Sequence, residues 1–519
     1  MSKPSRSHLK DEIHAPIIRP PGYPSCHGGK AWPYGLRHTA ATPIISNPHT
    51  AMSDLHDLPA HTLIAAYQQR SLSPVEVTKA VLDHIARWEP HLHATYLLRP
   101  EAALEQARAS EARWLHGAPC GPLDGVPTTI KDNIATAGDP LPLGTAATSL
   151  APAPAHAPPA ARLFEAGAVV VSKTTMPDYG MLSSGLSTFH ALARNPWDLR
   201  KTPGGSSAGA GSAAAAGYGP LHIGTDIGGS VRLPAGWCGV FGLKPSLGRI
   251  PIDPPYTGRA AGPMTRSVAD AALMMQVLSK PDERDSMSLP FEPIRWHDFD
   301  GGVEKLRGLR IGLLLDAGCG LPVEPEVRAA IEAAARLMED AGAIVVPMQP
   351  FMTQAMLDGM DHAWRMRSHV DLAALAPEKR AAVLPYIRDW ADSVAHLSGA
   401  ETFTAYSQFH ATRVAAVKAC AAFDYVVSPV SSMPAFDAEL PSPTNDPLRA
   451  MAHIGFTVPY NMSEQPAASI NCGYTSTGLP IGLQIAGQRF DDLGVLQVAR
   501  AFELMRAPQR PWPTPPASD

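Results

Sequence analysis

The sequence predicts an α/β fold in which one β-sheet carries helices on both sides, and three observations lead to this prediction. Of the 519 residues, 45% are hydrophobic and 18% are charged, which is typical of a globular protein rather than a disordered chain. No apolar run reaches the roughly eighteen residues of a membrane-spanning helix. From residue 52 onward, segments with helical periodicity alternate with short apolar runs that are typical of buried strands.

The first predicted helix begins at the segment SPVE, residues 73–76. Ser73 can cap the helix, proline is favoured at the first helical position, and Glu76 is placed to complete a capping box. The helical pattern continues to about Trp88, and a second helix is predicted over 101–116.

A short apolar run at 126–130 then predicts a buried strand that ends at Lys131. Further strands are predicted at 168–172, 221–225, 309–315, 343–347, 425–428 and 481–486. Between 281 and 450 the pattern becomes mostly helical, as at 324–338, 353–367 and 401–420. We expect this part to cover one side of the core.

The first 51 residues differ from the rest of the chain in composition. They contain six Lys or Arg against two acidic residues, with eight prolines, five histidines and no apolar run long enough for a signal peptide. Such a segment cannot bury enough apolar surface to offset the entropy of ordering it. We therefore expect a disordered N-terminal extension at 1–51, and a short loose tail at 511–519.

Charge and cysteine content exclude several functions. The chain has 43 basic and 48 acidic residues, a net charge of −5, which does not favour a polyanionic partner such as nucleic acid. The six cysteines include no CxxC pair, so the sequence predicts neither a disulfide framework nor a zinc site. They are Cys26, Cys120, Cys238, Cys319, Cys420 and Cys472. We expect reduced thiols and a cytoplasmic protein without a membrane partner.

The first of two glycine clusters, GGSSAGAG at 204–211, allows three interpretations. Residues 209–214 match a loose dinucleotide-binding fingerprint, but no apolar strand precedes them. The segment 205–209 fits the GxSxG nucleophile elbow around Ser207, which would also need a preceding strand, an acid and a histidine. Glycines that only allow a helix to pack on a sheet would leave the paired serines unexplained.

The second cluster, GTDIGGS at 224–230, follows a predicted strand. Its glycines allow consecutive backbone N–H groups to point into one concavity, and the Ser230 hydroxyl can face the same point. This pattern predicts an oxyanion hole beside a nucleophile. A phosphate-binding loop could use the same backbone, but the chain has no GxxxxGK[ST] motif.

A nucleophilic serine needs a base, and His222 falls in the middle of a predicted strand, where a core role is more common. A buried lysine can act instead, because desolvation lowers the pKa of its amine. Lys131, at the end of a buried strand, is the candidate.

Three motifs together resemble the amidase signature family of serine hydrolases. They are GPLDGVPTTIKDN with Lys131, GGSSAG with the paired serines, and GTDIGGSVRLPAGWCGVFGLKPSLGR with Ser230. The blocks AGAVVVSKTTMPDYG, ARNPWDLRKTPGG, GPMTRSVADAAL, PYNMSEQPAASINCG and GLPIGLQIAG follow in family order. The resemblance implies a three-layer α/β/α core with a central mixed sheet. It also implies hydrolysis of linear amides, as in bacterial broad-specificity amidases, aryl acylamidases and urethanases.

The resemblance also implies roles for individual residues. Ser230 would be the nucleophile, Ser206 a bridging serine on a cis peptide bond, and Lys131 the general base. The oxyanion hole would consist of the amides of Ile227, Gly228, Gly229 and Ser230. Ser207 would orient Lys131, while Asp226 and Arg232 would brace the loop rather than react. No metal and no organic cofactor is expected. An inactive binding scaffold would lack a member of the triad, and all three are present.

By the same resemblance, residues 52–510 would form a single domain. Its core would comprise 120–280 and 424–505, and a variable, mostly helical insertion at 281–423 would lie on the substrate side. Residues 281–450 resemble the family only loosely.

Two features bear on the substrate. The segment PPYTGRAAGP at 254–263 differs from the pattern expected of a glutaminase-type subunit of a tRNA-dependent amidotransferase, which makes that alternative less favoured. Ala208 also replaces a usual glycine, which would change the pocket shape more than the chemistry.

A stripe of large apolar residues falls on one helical face at Met352, Met356, Met360 and Trp364. Such stripes are more often core, but a pocket role here would favour aryl or bulky alkyl amides and carbamates. We expect a small-molecule amide as the substrate, and a homodimer is compatible with the family.

Overall fold

An eleven-stranded mixed sheet forms the centre of the computed structural model, which describes residues 52–517. The strands are β1 (Thr95–Leu98), β2 (Pro127–Lys131), β3 (Val169–Thr174), β4 (Leu221–Asp226), β5 (Phe241–Lys244), β6 (Ala260–Thr265), β7 (Arg310–Leu313), β8 (Ile344–Pro347), β9 (Tyr425–Pro429), β10 (Ala467–Tyr474) and β11 (Pro480–Gly487). Their order is β1-β3-β2-β4-β6-β5-β10-β11-β9-β7-β8. The predicted α/β fold is therefore confirmed.

Fourteen α-helices cover this sheet in the described part of the chain. They are α1 (Ala60–Gln69), α2 (Pro74–Leu92), α3 (Pro100–Leu115), α4 (Pro158–Glu165), α5 (Ala208–Ala216), α6 (Arg232–Cys238), α7 (Val268–Leu278), α8 (Pro325–Asp340), α9 (Gln354–Ala373), α10 (Pro377–Ala382), α11 (Pro385–Asp392), α12 (Gly399–Cys420), α13 (Val458–Met462) and α14 (Asp492–Met505). Short 3₁₀ helices occupy Met52–Asp57, Asp178–Gly180, Trp296–Phe299, Val303–Leu306 and Pro447–Arg449.

The strands β2, β3 and β4 are parallel neighbours at one end of the sheet, and β7, β8 and β9 are parallel at the other. The strands between these groups pair in antiparallel fashion. In β2 and β4, Ile130 pairs with Ile223. The carboxyl ends of these two strands, at Lys131 and Asp226, consequently meet at the same edge of the sheet.

The predicted helix start at Ser73 has the expected local geometry. The Ser73 hydroxyl accepts a hydrogen bond from Val75 N at 3.0 Å, and the Ser73 amide donates to Glu76 Oε2 at 2.9 Å. The helix continues past Trp88 to Leu92, because most of its inward-facing residues remain buried to that point.

Seven of the eleven strands match the sequence prediction within two residues at each end, whereas β1, β5, β6 and β10 were not predicted. The reason is clearest in β6, which contains Gly262 and Pro263, residue types that are depleted in strands. A Cβ on Gly262 would lie 1.9 Å from the carbonyl oxygen of Leu243. Close packing of two backbones, rather than strand propensity, therefore determines this strand.

Four of the described cysteines are free thiols, namely Cys238, Cys319, Cys420 and Cys472. Cys120, in contrast, is disulfide-bonded. The prediction that all six cysteines are reduced is thus wrong for Cys120, since spacing along the chain does not reveal which thiols meet in space. No helix among residues 52–517 is both long and apolar enough to cross a membrane.

The ends of the chain were predicted to be loose. Residues 1–51 lie outside the described residues. The stretch 511–517 forms no helix or strand, but the Trp512 ring lies 4.4 Å from the Arg266 guanidinium and packs near the ring of Trp197.

Candidate active site

Lys131 is the last residue of β2 and is fully buried. Its Nζ lies 2.8 Å from Ser206 Oγ, 3.0 Å from Ser207 Oγ and 3.0 Å from Thr225 Oγ1. Three hydroxyl groups thus surround one amine. The paired serines of the first glycine cluster and the end of β4 meet at this point.

Burial lowers the pKa of Lys131 from 10.5 to about 7, because desolvation disfavours the charged ammonium. The carboxylates of Asp226 and Asp132 oppose this effect, while the nearby charge of Arg259 adds to it. A large fraction of the lysine side chain is therefore neutral near pH 7, as a general base requires.

Ser206 follows a cis peptide bond from Gly205 and is almost fully buried. A Cβ on Gly205 would lie 2.6 Å from backbone atoms of Ser184, so a side chain does not fit there. The glycine allows the chain to pass close to Ser184 and to present the Ser206 hydroxyl to Lys131.

Ser207 is fully buried and forms hydrogen bonds to two other segments of the site. Its amide donates to the carbonyl oxygen of Ser230 at 3.2 Å, and its hydroxyl donates to the carbonyl oxygen of Thr225 at 3.2 Å. No strand precedes it, and α5 begins at the next residue. These features are not those of a nucleophile elbow, and they fit the predicted role of orienting Lys131.

His222, the histidine considered as a base, is buried in the middle of β4. Its ring nitrogens lie 2.8 Å from Thr129 Oγ1 and 2.9 Å from the carbonyl oxygen of Gly219. Both nitrogens are occupied, which agrees with the core role that its position predicts.

Asp226, within the second glycine cluster, and Arg232, two residues after it, form a buried ion pair. Arg232 Nε and Nη2 donate to the two oxygens of Asp226 at 3.0 and 2.8 Å. Arg232 Nη1 also donates to Gln484 Oε1 and to the carbonyl oxygen of Thr457, both at 2.8 Å. This network ties the loop to β11 and to the segment around Thr457, and a bracing rather than reacting role for both residues stays a prediction.

Within the loop 226–230, one of the amides that were expected to bind an oxyanion already donates a hydrogen bond to a side chain of the same loop. The Gly229 N–H donates to Asp226 Oδ1 at 2.9 Å, so it is not free, and its predicted role in an oxyanion hole is corrected. The bracing carboxylate competes with a substrate for this donor. The amides of Ile227, Gly228 and Ser230 have no hydrogen-bond partner among the described residues.

Ser230 is the most accessible member of the predicted triad, with 9% of its surface exposed against 4% for Ser206 and none for Lys131. Its hydroxyl has no hydrogen-bond partner within the described part of the chain. The hydroxyl that would have to reach a substrate is thus the most accessible of the three groups.

Sequence reasoning missed several polar residues of this site. Thr225 bonds Lys131 and also Asn133, whose Nδ2 donates to Thr225 Oγ1 at 3.0 Å. The hydroxyl of Thr457 donates to the carbonyl oxygen of Gly228 at 2.5 Å and supports the loop from the C-terminal part of the chain. Position at the end of β4 was an available signal for Thr225, but nothing local marks Thr457.

The apolar stripe is mostly core. Met352 and Met360 are buried in an apolar cluster with Leu233 and Trp237 of α6. Trp364 extends toward the site, since a Cβ on Gly228 would lie 4.0 Å from its ring. The stripe therefore covers the loop mainly by packing, and Trp364 is the member next to the predicted oxyanion hole.

Among residues 52–517 there is no group of three or more His, Cys, Asp or Glu side chains placed to hold a metal ion. The site described above consists of serine and threonine hydroxyls, backbone amides and one lysine.

A family model described as Amidase matches residues 76–496. The A subunit of glutamyl-tRNA(Gln) amidotransferase from Chloroflexus aurantiacus is 32% identical over 480 residues, covering 87% of this chain and 97% of that protein.

Two solved structures are also similar. A bacterial aryl acylamidase of the amidase signature enzymes has a TM-score of 0.79 at 30% identity, covering 87% of this chain and 96% of that one. The A subunit of glutamyl-tRNA(Gln) amidotransferase from Thermotoga maritima has a TM-score of 0.67 at 25% identity, covering 89% and 99%.

Proposed function

The chain belongs to the amidase family, and from this premise we propose that it hydrolyses an amide through an acyl-enzyme on Ser230, with Ser206 and Lys131 as proton relay. The observation that carries the proposal is the 2.8 Å contact between Lys131 Nζ and Ser206 Oγ. A buried lysine whose pKa is lowered to about 7 can accept a proton at neutral pH.

In the proposed mechanism, neutral Lys131 accepts the proton of Ser206 while Ser206 accepts the proton of Ser230. The oxygen of Ser230 attacks the amide carbonyl carbon, and the free amides of Gly228 and Ser230, with that of Ile227, stabilise the oxyanion. The relay then returns a proton to the amine as the C–N bond breaks, because an amide anion is too poor a leaving group. Water hydrolyses the acyl-enzyme by the same route.

We propose an aryl or alkyl amide as the substrate, and a carbamate as a chemically similar one. Two observations support this choice. The loop 226–230 has apolar neighbours, with Ile454 and Trp364 within 4.0 Å of a Cβ on Gly228. The similar solved structure with a TM-score of 0.79 is an aryl acylamidase.

A second candidate is glutamine as the amide source, in an amidotransferase that acts on glutamyl-tRNA. The curated relatives support it better than the first candidate, because proteins of this name are 32% identical and are covered over 97% of their length. The assembled enzyme would then have a nucleic-acid partner, against the expectation from net charge. A homodimer and a cytoplasmic location remain proposals.

The test offers the purified protein a primary alkyl amide, an acyl 4-nitroanilide, an aryl carbamate and L-glutamine, with products followed by mass spectrometry. Cleavage of the anilide or carbamate supports the first candidate, and cleavage of glutamine alone supports the second. Cleavage of none of them would overturn the proposal.

Ser230→Ala is expected to lower the rate by about 10³-fold or more, since it removes the nucleophile. Ser407→Ala is the matched control, because Ser407 is only partly buried on α12 and its hydroxyl donates to the carbonyl oxygen of Phe403 in the same helix. Ser207→Ala should lower the rate less than Ser230→Ala. The reverse order would favour a histidine-dependent hydrolase with Ser207 as nucleophile.

A further inference from the structure

Arg259 lies beside the candidate active site because the sheet places it there. It immediately precedes Ala260, the first residue of β6, and Ala260 pairs with Asp226 at the start of the loop 226–230. The carbonyl oxygen of Gly258 accepts a hydrogen bond from Asn461 Nδ2 at 3.0 Å, and the same amide group donates to Asp226 Oδ1 at 2.9 Å. The backbone of Arg259 is thus fixed against the loop that carries the nucleophile.

The guanidinium of Arg259 is mostly unpaired. It has five N–H donors, of which the structure uses one, from Nη2 to the carbonyl oxygen of Pro254. Its Nε is buried without a hydrogen-bond partner. No carboxylate among the described residues forms an ion pair with it. Arg259 is partly buried, and a partly buried cation without an anionic partner loses hydration that no ion pair replaces.

The acidic residues near Arg259 have other partners. Asp285 accepts hydrogen bonds from the amides of Ile252 at 2.9 Å and Met287 at 2.8 Å, so it fastens the backbone. Asp253 is exposed to solvent, which screens its charge. Neither carboxylate neutralises the guanidinium at hydrogen-bond distance.

A second guanidinium lies on the same side of the site. Arg367 of α9 lies 4.3 Å above the ring of Tyr256, which is in the same loop as Arg259. It follows Trp364 by one helical turn, and the Trp364 ring reaches Gly228. The pKa of Arg259 is lowered by its burial and then by the charge of Arg367. Arg367 is itself paired with Asp371 at 3.4 Å, so an anion placed here would mainly neutralise the unpaired guanidinium of Arg259.

We propose that Arg259 binds a carboxylate group carried by the amide substrate and so determines specificity for acidic amides. The inference rests on the proposed function and names its substrate class. The carboxylate can belong to the acyl part, as in monoamides of short dicarboxylic acids and in glutamine, or to the amine part, as in N-acyl aminobenzoates. Both present the same two oxygens to the guanidinium.

The experiment compares matched pairs of amides that differ by one carboxylate. For the acyl part the pair is N-(4-nitrophenyl)glutaramate and N-(4-nitrophenyl)butanamide, and for the amine part it is 4-acetamidobenzoate and acetanilide, with L-glutamine in addition. We expect wild-type kcat/KM to be about tenfold to hundredfold higher for the charged member of at least one pair, since charge-assisted hydrogen bonds are among the stronger ones. The pair that responds identifies the part that carries the carboxylate.

Arg259→Gln is expected to remove the difference in kcat/KM between the charged and the neutral member, and Arg259→Lys to retain part of it. Because the charge of Arg259 also lowers the pKa of Lys131, the readout is the ratio of the two kcat/KM values at one pH and not the absolute rate for either amide. Arg307→Gln is the matched control, because Arg307 is 74% exposed and pairs with an exposed glutamate. If wild type cleaves the neutral amides as well as the charged ones, the inference about Arg259 is wrong and the proposed function stands.

A binding measurement separates this inference from catalysis. Calorimetric titration of wild type with glutarate and with benzoate should show binding of at least one of them, and Arg259→Gln should weaken it at least about tenfold. If no amide is cleaved, the proposed function fails, and this titration still decides whether Arg259 binds carboxylates. Equal binding by wild type and Arg259→Gln would refute the role of Arg259.

Discussion

Lys131 can act as a base because the fold withholds water from its amine. It ends a strand whose every residue is buried, and the three hydroxyls around it supply hydrogen bonds without supplying charge. The acidic neighbours Asp226 and Asp132 favour the ammonium, but desolvation is the larger effect on the pKa.

The pH dependence of the rate follows from the sign of this shift. In the proposed mechanism the active form is the neutral amine, whose pKa is about 7, so kcat/KM should rise roughly tenfold per pH unit below that value and level off above about pH 8. Initial rates from pH 5.5 to 9, with circular dichroism at each pH to verify folding, test this. A rate that is flat or falls between pH 6 and 8 would contradict a lysine base.

At the scale of single elements, the loop 226–230 depends on one glycine conformation. Gly229 has φ of 127°, and a Cβ there would lie 2.6 Å from Thr457 Oγ1 and 2.9 Å from Leu233 Cδ1. Its amide also anchors the loop on Asp226. In the proposed mechanism the neighbouring amides bind the oxyanion, and this residue keeps them in place.

Gly229→Ala should therefore displace the amides of Gly228 and Ser230 and lower kcat by about 10²-fold or more, the effect of losing oxyanion-hole donors. Gly399→Ala at the start of α12 is the control, because no atom lies within 4 Å of a Cβ there. Steady-state kinetics and the melting temperature of both variants test the prediction. An unchanged kcat in Gly229→Ala would show that the loop does not position the oxyanion donors.

At the scale of the whole molecule, the mostly helical part of the chain shares the sheet with the rest. β7 pairs with β9, and β9 pairs with β11, so residues from 310 onward extend one continuous sheet. Val81 of α2 and Met338 of α8 belong to one buried apolar cluster although they are far apart in sequence. Within residues 52–517, one buried apolar cluster therefore contains side chains from both parts.

We accordingly expect a single cooperative unfolding transition by differential scanning calorimetry. Val81→Ala and Met338→Ala should each lower the midpoint of that same transition, because both open a cavity in the shared core. Two resolved transitions, each sensitive to one of the two substitutions, would indicate that the parts fold separately.

The sequence by itself determined features with local causes. The capping box at Ser73 needs only residues within one helical turn, and strands rich in apolar residues, such as β3, are visible as short runs. The second glycine cluster and the lysine at the end of a buried strand also identified Ser230 and Lys131 as candidates, whereas Ser206 followed from the resemblance of the GGSSAG motif to the amidase signature family. Each of these signals lies within a few residues of chain.

Only the tertiary structure decided what depends on contacts between distant segments. Lys131 meets Ser206 across 75 residues and Thr225 across 94. The Gly229 amide donates to Asp226 and is therefore not available to the candidate oxyanion hole. The segment with Gly262 and Pro263 forms a strand because the backbone of Leu243 packs closely against it. The proposed role of Arg259 rests on the absence, among residues 52–517, of a carboxylate paired with its guanidinium. Which donors and acceptors of a buried site have partners depends on every segment that meets there, and no local sequence pattern contains that information.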